Sequence, residues 1–362
     1  MKLAIDCRMS GKSGIGTFLD SILPYIVQNF ETVLLLKGKD GLKNEESLKK
    51  GHVKIVDCPV TPFSITDYLF FPKSTAKEIN SCDAFFSPYC NIPSGIKTPI
   101  FTTIHDVVFL DIKLSGCIGT LARKLCYKYA TIRSKEIFTV SQFSKERIIK
   151  HLHVKKTITV VHNGISTYIE SNAEMLKGKR ESKNKEASII FIGNIKKHKG
   201  LSTLLNAFTS FHKKTGAKLI IVGSNENFRT KDSSTEGLLT QAENGIRFTG
   251  HISDEQLFSL LCNAKILVQP SLYEGFGIPP LEALFCGTKV LVSDIPVFKE
   301  IYGTLPVTFF KAGDSEDLER QLERVWNDKS PIQEVHIPYS YKKTAEAVSE
   351  RINMLCSVTN NR

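Results

Sequence analysis

Tyr273-Glu274-Gly275-Phe276-Gly277-Ile278-Pro279-Pro280-Leu281-Glu282 sets two carboxylates eight residues apart. A glycine-rich loop and a proline-marked helix start lie between them. Gly275 and Gly277 let backbone approach a ligand closely, and Pro280 suits a first helical turn, where its missing N–H is not needed. Exposed N–H groups at such a helix start favour an anion. A helix throughout would set the two acids about 12 Å apart; a loop between them leaves the separation open. Just before the motif, Ala264-Lys265-Ile266-Leu267-Val268-Gln269-Pro270 reads as a buried parallel strand. The acids therefore follow the carboxyl end of a strand, where open α/β sheets bind ligands.

Outward from this stretch, short apolar runs alternate with helical patterns. Ser188–Gly193, Lys218–Val222, Arg247–Thr249 and Lys289–Val292 read as strands around it, with helices near Thr203–Lys214 and Asp254–Cys262. An earlier series has strands at Leu3–Ile5, Thr32–Leu36, Val53–Val56, Ile100–Ile104, Ile137–Val140 and Ile158–Val161, and a helix from about Thr17 to Gln28. The rhythm implies α/β architecture with two doubly wound parallel sheets. Glu170–Glu186, strongly polar and rich in lysine, divides the two series as a linker. The expected domains are residues 1–169 and 187–338, joined by 170–186. An amphipathic helix of about Tyr341–Leu355, within 339–362, is expected to return to the first domain.

At 362 residues the chain is too long for one ordinary core. Its 41% apolar and 23% charged composition is that of a soluble globular protein. Asp6 interrupts the amino-terminal apolar run too early for a signal peptide, and no apolar stretch is long enough to span a bilayer, so a cytoplasmic location is expected. The nine cysteines are scattered with no C-x-x-C pair, which argues against a disulfide framework or zinc site. Of the formal +11 charge, much is local: Lys113 to Lys156 holds eleven Lys/Arg against Glu136 and Glu146, a balance of +9. Part of it lies on the apolar-periodic segment Leu121–Tyr129, a pattern suited to an anionic membrane surface or simply to a solvated face. Nothing resembles a nucleic-acid-binding module, so no nucleic-acid partner is expected.

Several strand-end turns carry polar groups. Gly11-Lys12-Ser13-Gly14-Ile15-Gly16 is no Walker A loop, since position 6 is Asp, but Gly14 and Gly16 at a helix start can offer N–H groups to a phosphate or form a tight turn. Thr103-Ile104-His105-Asp106 closes a strand. Ser141 suits either an N-cap or a ligand contact, and Asn163-Gly164 suits a turn. Phe191-Ile192-Gly193-Asn194-Ile195-Lys196-Lys197-His198-Lys199-Gly200 ends a strand in a cationic loop. Gly250-His251-Ile252-Ser253-Asp254-Glu255 pairs another strand end with an N-cap pattern.

The Glu274–Glu282 string resembles the E-x7-E signature of the retaining glycosyltransferase family 4, and the turns above resemble that family's other segments across nearly the whole chain. The resemblance implies the GT-B fold, two Rossmann-like domains facing a cleft, with the nucleotide sugar held mainly by the second. By it, Glu282 would hold the ribose diol, and Glu274 would contact the donor sugar and stabilise charge at its anomeric carbon. Gly275, Phe276, Gly277 and Ile278 would orient the hexose or its phosphate. Lys199 would stabilise the departing diphosphate, and His251 lies in the loop that holds the base. Asn194 and His198 depart from the family pattern, in which arginine is common. His105 would bind donor hydroxyls or orient the acceptor, with Asp106 and Ser141 toward the acceptor. No D-x-D triplet occurs, which favours a metal-independent enzyme without a cofactor. The string looks most like bacterial mannosyltransferases that use GDP-mannose to build surface polysaccharide on a glycan or lipid-linked acceptor, at the inner membrane face. The rival readings are a GT-B nucleotide-sugar epimerase and a non-catalytic sugar-nucleotide-binding subunit.

Overall fold

Leu3, Ala4 and Ile5 are completely buried, as expected of a strand covered on both faces. In the computed structural model of the chain they form the middle of β1 (Lys2–Asp6). Residues 1–38, 42, 48, 51–112, 116–173, 185–223, 245–330 and 334–360 are described. They divide into two compact units, Met1–Gly164 with Tyr339–Arg362, and Ile165–Pro338.

The first unit has β1, β2 (Glu31–Leu36), β3 (Val53–Asp57), β4 (Ala84–Ser87), β5 (Ile100–Thr103), β6 (Glu136–Thr139) and β7 (Ile158–Val160). Their order is β3-β2-β1-β4-β5-β6-β7, with every pairing parallel. The order reverses between β1 and β4, where Leu3 pairs with Ala84. β4 was not among the expected strands, although Ala-Phe-Phe-Ser fills the centre of the sheet with all four residues buried. A four-residue run shows too little periodicity to stand out alone. The helix Ser13–Ile26 starts four residues before the expected one, directly on the glycine turn.

The helix Tyr341–Asn360 belongs to this first unit. Tyr341, Ala345, Val348, Ile352 and Cys356 join the core of Phe18, Leu19 and Ile22 from helix Ser13–Ile26. Their spacing of three to four residues places them on one helical stripe. The stripe is pinned electrostatically. Arg351 Nε donates to Glu136 Oε1 at 2.9 Å and Nη2 donates to Oε2 at 2.8 Å, at the start of β6. The Glu136 side chain is 1% exposed and also accepts from Thr159 Oγ1.

The second unit contains β8 (Glu186–Ile192), β9 (Lys218–Val222), β10 (Ile246–Gly250), β11 (Ala264–Gln269), β12 (Lys289–Ser293) and β13 (Thr308–Phe310), in the order β10-β9-β8-β11-β12-β13. All are parallel, and the order reverses between β8 and β11, where Ile266 pairs with Ile189. Its core sets Phe191, Ile221 and Val268 against Leu204, Phe208 and Phe211 of helix Leu201–Thr215.

The unit boundary corrects the expected one at 169. Thr167–Ala173 is a helix of the second unit, with Ile169 buried and the Ser166 N–H directed at Glu282. Polar composition there marks a solvated helix face rather than a linker. Of the expected linker 170–186, residues 174–184 lie outside the described residues.

Arg351→Ala would leave the Glu136 carboxylate buried without its cation. Because Arg351 is itself 28% exposed, the expected loss is about 2–3 kcal/mol, below that of a fully buried pair. Urea unfolding followed by circular dichroism measures it, and an unchanged midpoint would contradict the pinning role.

Candidate active site in the second unit

Two chain segments leave the carboxyl ends of β8 and β11 side by side at the strand-order reversal. After β8 comes Gly193–Lys196, a single 3₁₀ turn at Lys197–Lys199, then Gly200. After β11 comes Pro270–Gly277, then helix Ile278–Phe285. Gly200 has φ of 66°, and a Cβ there would sit 1.9 Å from the Pro270 carbonyl oxygen. Only glycine permits both the left-handed backbone and this approach. The two loops are further joined by the Leu272 N–H, which donates to the His198 carbonyl at 2.8 Å.

This approach delivers the central contact. Lys199 Nζ donates to both oxygens of Glu274, at 2.7 and 2.8 Å. The two side chains are 21% and 11% exposed, so the pair is shielded yet reachable from solvent. Glu274 Oε1 also accepts from Ser271 Oγ at 2.8 Å. Gln269 Nε2 donates to Ser271 Oγ at 3.1 Å and lies 3.4 Å from Glu274 Oε1. Ser293 Oγ donates to the Ser271 carbonyl. Glu274 is thus oriented by a cation and a polar shelf. Gln269 and Ser271 were not expected as site residues; the available signal was a glutamine closing the otherwise apolar Ile-Leu-Val run of β11.

His198 lies directly beside the pair and is 8% exposed. Burial, then the Lys199 charge, push its pKa down to about 4, so it is neutral at neutral pH. Its Nδ1 has no hydrogen-bond partner among the described residues, nor does Gln269 Oε1. His198 therefore supplies a polar group but no charge where the family commonly has arginine. Positive charge here comes from Lys199 and the exposed Lys196 and Lys197. Asn194, also exposed, follows Gly193, whose N–H donates to the Val222 carbonyl at 2.9 Å. His251 is exposed just beyond β10, and Ser253 caps helix Asp254–Asn263 in a full capping box.

The motif's loop is rigid for identifiable reasons. Gly277, at φ of 95°, is the N-cap of helix Ile278–Phe285, and a Cβ there would meet the Phe298 ring at 2.5 Å. Tyr302 Oη donates to its carbonyl. Gly275 and Phe276 are buried in the same loop, whereas Ile278 is half-buried at the helix start. Glu282 lies one turn into that helix and is 5% exposed. Its Oε1 accepts a long hydrogen bond, 3.4 Å, from the Ser166 N–H. Burial raises its pKa to about 7.

The remaining expected residues lie in the first unit. His105 Nε2 lies 2.9 Å from the Pro88 carbonyl, and its ring meets Phe18 edge to face at 4.9 Å. A carbonyl only accepts, so Nε2 carries the proton and Nδ1 keeps a lone pair. Burial holds the ring neutral, with a pKa near 4. Asp106 Oδ1 accepts from the Val108 N–H at 3.0 Å, beside the start of a short helix. Ser141 is fully buried, and its Oγ accepts from the Ser144 N–H as the N-cap of helix Gln142–Leu152. Of its two readings, the cap is the one the geometry carries. In the Gly11–Gly16 turn, the Gly11 N–H donates to Asp20 Oδ2 and the buried Gly16 donates to the Lys12 carbonyl. Gly14 is exposed. Gly16 thus completes the helix rather than offering its N–H to a phosphate.

One buried cluster in this unit gave no expected residue. Arg8 donates to Asp6 at 2.8 and 2.6 Å and to Asp67 at 2.9 Å, and Asn91 Nδ2 donates to Asp67 at 2.6 Å. All four residues are at most 2% exposed. Among the described residues, no group of three or more His, Cys, Asp or Glu side chains is placed to hold a metal ion.

Two parallel doubly wound sheets, with a cation–carboxylate pair at the reversal of the second, define the GT-B class of glycosyltransferase fold. Residues 172–343 match the family model described as glycosyl transferases group 1. The chain is 25% identical over 214 residues to the serotype-specific mannosyltransferase WbdA of Escherichia coli, covering 56% of this chain and 26% of that one. It is 31% identical over 230 residues to the O-antigen chain mannosyltransferase RfbU of Salmonella typhimurium, covering 58% and 60%. The chain thus spans about a quarter of the first relative and three-fifths of the second. Among solved structures, Anabaena Alr3699/HepE in complex with UDP and glucose has a TM-score of 0.66 at 16% identity, covering 100% of this chain and 99% of that one. That likeness establishes the fold alone.

A ligand that donates hydrogen bonds to Glu282 favours its ionised form. With the carboxyl raised to about 7, affinity for such a ligand is expected to fall as pH drops through 7 and to level off above it. Glu282→Gln should flatten this dependence and weaken binding about tenfold or more above pH ~8. Calorimetric titration across pH checks both, and an unaltered pH profile in the variant would assign the titration elsewhere.

Proposed function

We propose that this protein is a retaining glycosyltransferase that moves a hexose from a nucleotide sugar, GDP-mannose foremost, to a growing glycan or lipid-linked acceptor in bacterial surface polysaccharide synthesis. The observation that carries the reading is the bidentate Lys199–Glu274 pair at the strand-order reversal, inside a group 1 glycosyltransferase domain. The mannosyltransferase relatives support the sugar and the pathway class, and the UDP-bound fold relative supports a nucleotide-linked donor.

In this reading Glu282 accepts two hydrogen bonds from the ribose diol. The diphosphate lies toward Lys199, with the amino end of helix Ile278–Phe285 favouring negative charge. As the bond from the anomeric carbon to the diphosphate oxygen breaks, positive charge grows on the sugar and negative charge on the leaving group. Lys199 stabilises the second and Glu274 the first, both already oriented before reaction. The acceptor hydroxyl attacks from the face the leaving group vacates, and its proton passes to the departing phosphate oxygen. Configuration is thereby retained with no covalent enzyme intermediate. Both Glu274 oxygens are engaged by Lys199, which suits an electrostatic role rather than a nucleophilic one. Neutral His105 acts through the Nδ1 lone pair by accepting a hydroxyl hydrogen bond; it is no general acid at neutral pH. At the finer level, the protein works at the inner face of a membrane, where the basic 113–156 segment meets anionic lipid.

GDP-mannose at a hundred times its Kd should raise unfolding stability by about 2.7 kcal/mol, read as a thermal shift against UDP- and dTDP-linked sugars. A larger shift with another nucleotide sugar would replace GDP-mannose, and no shift with any would reject the donor-binding reading. Glu274→Ala should lower kcat by about a hundredfold or more while the folded circular dichroism spectrum persists. Near-normal turnover would remove Glu274 from the mechanism.

A further inference from the structure

Thr61-Pro62-Phe63-Ser64 closes as a turn in which the Ser64 N–H donates to the Thr61 carbonyl at 3.3 Å. Proline holds the second position and Phe63 the third, with φ of 64°. A turn of this pattern takes glycine at its third position, because a Cβ crowds the backbone where φ is positive. Among the described residues, the other non-glycine residues with positive φ are Ser13 and His153, both polar. His153 is an ordinary left-handed helix end. Phe63 is the bulky apolar member of the three, and a bulky residue in this region is an outlier that points to function.

The surrounding structure holds the turn in place. The Phe63 N–H donates to Asn91 Oδ1 at 3.1 Å, and Asn91 Nδ2 donates to Asp67 Oδ2 at 2.6 Å. Arg8 donates to Asp67 at 2.9 Å and to the Val60 carbonyl, just ahead of the turn, at 3.1 Å. On the other side, the Ser64 hydroxyl accepts from the Asp67 N–H at 3.2 Å. The buried Arg8–Asp67–Asn91 network thus fixes the turn from both ends. Phe63 fills no core in return, since it is 43% exposed. Its ring rests on that of the fully buried Tyr89, with centroids 5.5 Å apart and planes at 45°. A single exposed aromatic is unremarkable on a protein surface. One carried on an unfavourable backbone and braced from behind is kept for what it meets outside.

Its place in the fold indicates the chemistry of that partner. Tyr89 lies two residues beyond Ser87, the last residue of β4, and the Pro88 carbonyl between them is the one that His105 Nε2 meets at 2.9 Å. β4 adjoins β1 at the strand-order reversal of the first unit. Phe63 is therefore mounted at carboxyl strand ends, where open α/β sheets bind ligands.

We propose that the Phe63 ring is a stacking platform for a pyranose of the acceptor glycan. The face of an aromatic ring is electron-rich, and the face of a pyranose presents polarised C–H bonds. Stacking buries that apolar face while the hydroxyls around the sugar's rim stay free for acceptors such as His105 Nδ1. A pinned backbone and two side-chain torsions leave Phe63 little freedom to lose on binding. The inference rests on the transferase reading for the glycan's role as acceptor and adds to it a residue that selects the acceptor.

The test compares the full chain with Phe63→Gly and Phe63→Trp by saturation-transfer NMR. The probes are α-linked mannotriose, maltotriose and sorbitol, a polyol with no ring. Saturation should pass to ring C–H protons of a trisaccharide and not to sorbitol. Phe63→Trp should keep this binding, and Phe63→Gly should weaken it about tenfold. Because glycine suits a φ of 64°, Phe63→Gly should melt at or above the wild-type temperature. A clearly lower melting temperature would make the ring a structural prop and overturn the proposal. Unchanged trisaccharide binding by Phe63→Gly, sorbitol bound as well as the sugars, or neither trisaccharide bound by the wild type would each overturn it. A wild-type dimer dissolved by Phe63→Gly would overturn it too, by making the ring a protein contact. Both variants should keep the wild-type thermal shift with nucleotide sugar. Failure of the transferase reading would show separately, as absence of that shift in every chain.

Discussion

The contact between Gly200 and the Pro270 carbonyl is the constraint from which the second unit's chemistry follows. It is a backbone approach that no side chain at position 200 would permit. By bringing the loop after β8 against the loop after β11, it places an ammonium and a carboxylate within direct hydrogen-bond reach, although they lie 75 residues apart in the chain. Strand order makes this possible. β8 and β11 are neighbours at the reversal, so the segments that follow them leave adjacent strand ends, the place where open α/β sheets bind ligands.

Around the pair, polar groups are arranged to hold charge rather than to titrate. Ser271, Gln269 and Ser293 form a chain of hydrogen bonds behind Glu274, and His198 is kept neutral by burial. Glu282 is different. It is buried in the same motif, and that burial raises its ionisation to about 7, where it responds to whatever donates to it. One motif thus contains two carboxylates with different environments and different capacities.

The first unit follows another principle. Its charges are used to bind parts of the chain to one another: Arg8 joins Asp6 at the end of β1 to Asp67 in the short helix Ile65–Leu69, and Arg351 joins the final helix to β6. Removal of either cation would strand carboxylates away from water, so these networks select one arrangement of the unit. The same unit leaves Ile118, Leu121, Leu125 and Ile132 exposed along one stripe of helix Cys117–Arg133.

The parallel sheets, most strands and the Glu274–Glu282 string were legible because buried strands repeat apolar residues locally and because glycine and proline mark turns wherever they occur. Lys199 and Glu274 could each be singled out by the loop that carries it. Their bidentate contact could not, since it depends on the spatial order of strands, which no local pattern encodes. β4 was too short to read, the polar run at Thr167–Ala173 concealed a helix packed through Ile169, and Ser141 and Gly16 proved to serve their helices. Sequence alone determined which segments become strands, where backbone must bend, and which acids follow a strand end, all consequences of short-range sterics and hydrophobic spacing. Tertiary structure decided which charges meet, which histidines stay neutral and which leucines remain outside, because burial and pairing arise only once distant segments share one sheet.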